Sequence, residues 1–141
     1  MTLLLFAALL GVMVFFVAII SPAVFASLDA ASGGRFLRHV FPRLFVFGLM
    51  LSALATAAAW YENYPAYSIA AIGLGLGFFI NGFSLTPKIN AARDAMLEET
   101  DSKPATERHF KLLHGCSVGI YLLQMVLLVL LLGRHLWLGF G

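Results

Sequence analysis

The sequence predicts an all-α integral membrane protein, an antiparallel up-down-up-down four-helix bundle, and three observations carry that expectation. Hydrophobic residues make up 61% of the chain and charged residues only 11%, more apolar surface than a water-soluble domain of 141 residues can bury. The apolar residues gather into four runs, 3–26, 44–60, 66–85 and 112–132, and about 20 residues suffice to cross a hydrocarbon core of about 30 Å. The connections are short, apart from a hydrophilic stretch at 86–111 expected to lie in the cytoplasm. One four-span domain, 1–141, is the expected organisation.

The first span is almost purely apolar and ends near Ser21-Pro22, where proline removes a backbone donor and kinks or opens the helix. Val24-Phe25-Ala26 before Ser27 faintly resembles a signal cleavage site. No Lys or Arg precedes Arg35 and the apolar run is long, so the segment reads as a retained span. Asp29 to Gly34, DAASGG, reads as a turn, and Arg35, Arg38, His39 and Arg43 form a basic rim. Pro42 suits the first turn of the second span. That span carries SALATAAA, Ser52 to Ala59, a small-residue face for helix packing. Trp60, Tyr61, Tyr64 and Tyr67 mark an interface, and Pro65 completes a tight turn. In the third span Gly73 and Gly77 form a GxxxG pair, expected to bring a neighbouring helix close. Asn81, Ser84 and Lys88 share a face leading out of the membrane. Helix is expected to continue to about Glu99, to break over Asp101 to Ala105, and to restart near Pro104 into the fourth span. Gly133, Arg134, His135 and Trp137 form an interfacial exit.

Eight of the nine Lys and Arg residues fall in 35–43 and 88–111, against Arg134 alone on the other side. That asymmetry puts both longer loops in the cytoplasm and both termini outside it, most simply in a bacterial inner membrane. It also accounts for the net charge of +2 without a nucleic-acid partner. The lipid bilayer is the expected partner, and the small-residue faces leave a homo-oligomer open. A lone cysteine, Cys116, excludes an intrachain disulfide. Every Asp and Glu lies outside the four apolar runs, so an intramembrane carboxylate dyad for hydrolysis is absent, and no catalytic residue is assigned.

The candidate functional residues centre on the fourth span. His114, Ser117, Tyr121 and Gln124 recur at offsets that place them on one helix face, a polar stripe lipid cannot satisfy. Ser21, Pro22, Asn81, Ser84, Pro87 and Asn90 are supporting polar or kink positions. His39 and His114 are expected on the same membrane side, where imidazoles suit haem iron or copper, although no bound cofactor is the simplest expectation. Each hairpin carries a proline near the end of its first span and an aromatic, basic and histidine cluster before its second, RFLRH from Arg35 and HFKLLH from His109, a weak internal repeat.

Ser21-Pro22-x-x-Phe25, Phe41-Pro42-x-x-Phe45, Leu85-x-Pro87 with Asn90 and Arg93, and Phe110-x-x-x-His114-Gly115-x-Ser117 occur in this order. Together they resemble the transmembrane protein 205-like family of small four-span proteins, in which an asparagine stands where this chain has Tyr121. The resemblance implies the four-span fold and brings no catalytic residue. Three readings follow: small-molecule or ion transport and membrane homeostasis along the stripe; a haem or copper protein using His114; and a structural or partner-binding bundle. The first is preferred, because four aligned polar residues exceed what packing alone requires.

Overall fold

The computed structural model describes residues 1–98 and 104–139. Helix accounts for nearly all of them, and four helices are long and apolar enough to cross a membrane. Helix α1 runs Thr2–Phe15, continues through a π-helical segment at Phe16–Ile20, and ends as Ser21–Ser27. Helix α2 is Ala30–Tyr61. Helix α3 runs Pro65–Phe79, passes through a π segment at Ile80–Leu85, and continues over Thr86–Glu98. Helix α4 is Pro104–Gly139. Consecutive helices pack side by side and α4 returns to α1, which closes an up-down-up-down bundle. The restart near Pro104 is found, whereas Glu99 and the break over Asp101 to Lys103 lie outside the described residues.

Both π segments have one cause. A proline ring collides with the carbonyl four residues back and offers that carbonyl no N–H. In each helix the residue before the proline instead sends its amide to the carbonyl five back: Ser21 to Phe16, and Thr86 to Asn81. The widened turn takes up the misfit without breaking the helix. Its recurrence at Ser21-Pro22 and Thr86-Pro87 gives the weak sequence repeat a structural counterpart.

Asp29 to Gly34 departs from the expected turn. Asp29 is the N-cap of α2, accepting the Ser32 amide, and the chain is helical from Ala30. Gly33 and Gly34 serve close approach instead: Val24 of α1 lies over Gly33, and the Arg93 guanidinium of α3 over Gly34. Pro42 consequently sits in the interior of α2, not in its first turn. At the other end of α2, Asn63 adopts φ 58°. The Asn63 amide donates to the Trp60 carbonyl and the Tyr64 amide to that of Ala59. This is a Schellman ending, with asparagine in the left-handed position and Pro65 opening the next helix.

The core joins Phe6, Leu9 and Met13 of α1, Phe45 and Ala55 of α2, Ala71, Leu74 and Phe78 of α3, and Tyr121 and Leu128 of α4. Lipid tails are as apolar as leucine, so contact between helices rests on close van der Waals fit. A close fit within this core is the Phe78 ring lying on Gly48, where a Cβ would stand 2.7–2.8 Å from ring carbons. The GxxxG expectation is half corrected: Gly77 meets α4, whereas Gly73 faces open space on the outside of the bundle.

Gly48→Ala is therefore expected to destabilise the bundle by about 1–3 kcal/mol through overpacking, and Gly73→Ala to leave it unchanged or slightly firmer; unfolding in detergent followed by helicity distinguishes the two. The Asp29 carboxyl is held below its ordinary value, first by the Ser32 amide and then by the Ser32 hydroxyl and Arg35. Its stabilisation is complete above the unfolded-state pKa and is lost as pH falls through the lower, folded one. Asp29→Asn keeps the acceptor and is expected to remove that acid-side dependence, read from thermal midpoints at about pH 7 and about pH 3.

Candidate functional site

The residues of the α4 stripe differ in depth, because a straight 3.6-residue helix turns gradually as it crosses its neighbours. His114 is exposed on the outer surface, its ring stacked parallel on Phe110 at 5.8 Å. Ser117 is half-buried, and its carbonyl accepts the Asn81 Nδ2 at 3.3 Å. Tyr121 is buried, donates its hydroxyl to the Met13 carbonyl at 3.3 Å, and sets its ring against Phe45. Gln124 is buried and sends Nε2 to the Leu74 carbonyl at 2.7 Å.

The Ser117 and Gln124 contacts lie at the α3–α4 interface, whereas Tyr121 reaches α1 and α2. Asn81 is 0% exposed; it opens the turn that closes at Thr86, whose Oγ1 donates to the Asn81 carbonyl at 2.7 Å. That carbonyl thus receives both the amide and the hydroxyl of Thr86, and the π turn carries buried Asn81 and Thr86 on one side of α3. One α-helical turn earlier, Gly77 seats the Gln124 amide. A Cβ there would meet Nε2 at 2.7 Å, so only glycine lets this side chain reach the α3 backbone. Two amide oxygens on this line, Asn81 Oδ1 and Gln124 Oε1, are buried with no hydrogen-bond partner.

The supporting positions other than Asn81 lie toward the periphery. Ser21 and Ser84 are half-buried, and Pro22 and Pro87 are exposed. Asn90 is half-buried, and its carbonyl accepts Arg38 Nη2 at 3.5 Å. Arg38 also pairs with Asp94 at 2.5 Å, and Arg93 donates to the Ala30 carbonyl, so polar contacts tie the start of α2 to the end of α3. His39 is exposed, with Nδ1 donating to the Arg35 carbonyl at 2.8 Å. His39 and His114 stand on α2 and α4, which are not neighbours in the bundle, and both face outward; the fold does not bring the two imidazoles together. Among the described residues no three His, Cys, Asp or Glu side chains gather as a metal site.

Thr86 joins the site only through the fold. The available signal was its position five residues after Asn81 and immediately before a proline, a spacing that only a π turn puts on one side. At Gly77 the expected close helix contact is present, and the group seated there is the Gln124 amide of α4.

A family model described as domain of unknown function (DUF4149) matches residues 4–98. The match takes in α1, α2 and α3, with Asn81 and Thr86, and stops short of α4. No curated protein matches the chain, and no solved structure does.

Gly77→Ala is expected to displace Gln124 and destabilise the bundle by about 1–3 kcal/mol. In a Gln124→Ala background the same change is expected to matter much less. A double-mutant cycle from unfolding in detergent reads that coupling directly.

Proposed function

The chain belongs to the DUF4149 family of unknown function, and from that premise we propose that it takes up a small polar solute, water or a hydrated monovalent cation, along the α3–α4 interface. The observation that carries this reading is the pair of partnerless amide oxygens, Asn81 Oδ1 and Gln124 Oε1. A side-chain hydrogen bond between membrane helices contributes about 0.6 kcal/mol on average, whereas an orphaned buried acceptor costs about 1–3 kcal/mol. By that comparison leucine at both positions would make a better structural bundle. A guest that donates hydrogen bonds, or carries positive charge, reverses the balance by engaging both oxygens. Tyr121, Ser117 and Thr86 extend the polar line, and the π turn at Asn81 supplies backbone that can adjust locally, as π-bulges at functional sites do.

In this reading the protein serves transport and homeostasis in a bacterial inner membrane as one four-span domain. The excess of Lys and Arg at the α1–α2 and α3–α4 ends supports cytoplasmic loops and outward termini. The likeness to transmembrane protein 205-like proteins accords with this architecture. The outward positions of His39 and His114 favour no metal reading.

The test is flux into liposomes holding purified protein, with a pH-sensitive dye for protons, an ion-sensitive dye for potassium and sodium, and light scattering for water. One of these is expected to exceed empty liposomes and to fall at least about tenfold in Asn81→Leu or Gln124→Leu, with thermal midpoints unchanged or raised, because each change removes an orphan. Flux equal to empty liposomes in every assay, or unaltered flux in both variants, overturns the reading.

A further inference from the structure

A second feature lies on the outer face of α2, away from the interior line. Arg38, His39, Pro42, Arg43, Val46, Phe47 and Met50 line an open groove of about 660 Å³. Its chemistry changes sharply along the helix. Three basic or imidazole side chains occupy one end. The other end, Val46, Phe47 and Met50, is apolar and 40%, 46% and 60% exposed.

The charge at the basic end is only partly answered within the protein. Arg38 pairs with Asp94. Arg43 gives Nη1 to the His39 carbonyl of its own helix at 2.6 Å, and among the described residues no carboxylate pairs with it. The rest of its guanidinium fork remains available to an anion, the geometry that suits phosphate oxygens.

Depth fixes what kind of anion this is. From Arg43 to Trp60, an exposed aromatic at the far end of α2, the helix rises about 25 Å at 1.5 Å per residue. That is close to the thickness of a hydrocarbon core, with aromatic residues at one boundary and basic residues at the other. Arg43 and His39 therefore stand at headgroup level, and Val46, Phe47 and Met50 lie just inside the acyl region.

We propose that this groove is a binding site for one anionic phospholipid, its phosphate held by Arg43 at the rim formed with Arg38 and His39, and an acyl chain laid over Val46, Phe47 and Met50. A soluble phosphate would use the rim and leave the apolar half empty. A second, purely apolar helix would leave the Arg43 charge unanswered. The amphiphile matches both halves at the spacing observed.

The test uses the full chain in detergent, titrated with phosphatidylglycerol, phosphatidylcholine or inorganic phosphate, with bound lipid counted by native mass spectrometry. Phosphatidylglycerol is expected to bind at a stoichiometry of one and more tightly than phosphatidylcholine, and inorganic phosphate not to compete at equal concentration. Arg43→Gln is expected to weaken it about fivefold, while Arg134→Gln, an equal charge loss at the other end of the bundle, leaves affinity unchanged. Equal weakening by both variants, or equal affinity for the two lipids, overturns the proposal. A photoreactive phosphatidylglycerol applied to the unsubstituted protein should crosslink to 46–50 on α2; crosslinks confined to other helices overturn it without reliance on any variant.

Discussion

Inside a hydrocarbon layer a backbone amide has no water to turn to, and the whole of this structure answers that constraint. Helix satisfies each amide within its own segment, so four helices with tight connections are the economical solution for this chain. The exceptions are instructive. Pro22 and Pro87 each remove a donor and push a carbonyl aside, and in both places the helix widens by one residue so that the preceding Ser21 or Thr86 amide finds a carbonyl five back. At Thr86 the side-chain hydroxyl joins the amide on the same oxygen. The two hairpins thus solve one backbone problem in one way.

Because lipid offers apolar side chains an environment as favourable as a protein core, burial alone does not draw these helices together. Fit does. The Phe78 ring on Gly48 and the Gln124 amide on Gly77 are the same device used for different ends: a missing Cβ lets a flat group reach the neighbouring helix. In the first case the group is an aromatic ring and the result is cohesion. In the second it is a primary amide, and the result is a polar group led into the bundle interior, where one of its atoms bonds to Leu74 and the other has no partner.

The molecule therefore places its polar chemistry in two quite different settings. The α3–α4 line is buried and short of donors, which suits a small guest that brings them. The α2 face is open and half charged, which suits an amphiphile that brings negative charge and an alkyl chain. Arg38 belongs partly to the second setting and partly to the fold, since its pairing with Asp94 also fastens the ends of α2 and α3. The interior line and the outer groove share no side chain.

The class of fold was legible because it rests on composition and run length, which are properties of the sequence itself: four apolar stretches of spanning length, aromatic residues at their ends, and Pro65 at the tight turn. The helical spacing of the polar residues on α4 was legible for the same reason, since periodicity depends on one segment alone. What tertiary structure decided was everything that depends on two segments meeting. Asp29 to Gly34 has turn composition, but Val24 and Arg93 from other helices occupy the space its glycines leave, and a capped helix results. His114 shares a face with Gln124 by spacing, but helix crossing leaves His114 outside and carries Gln124 inside. Gly73 and Gly77 are alike in sequence, and only the position of α4 makes one of them indispensable. A single chain segment specifies its own hydrogen bonds and periodicity; which of its faces is covered is set by neighbours tens of residues away.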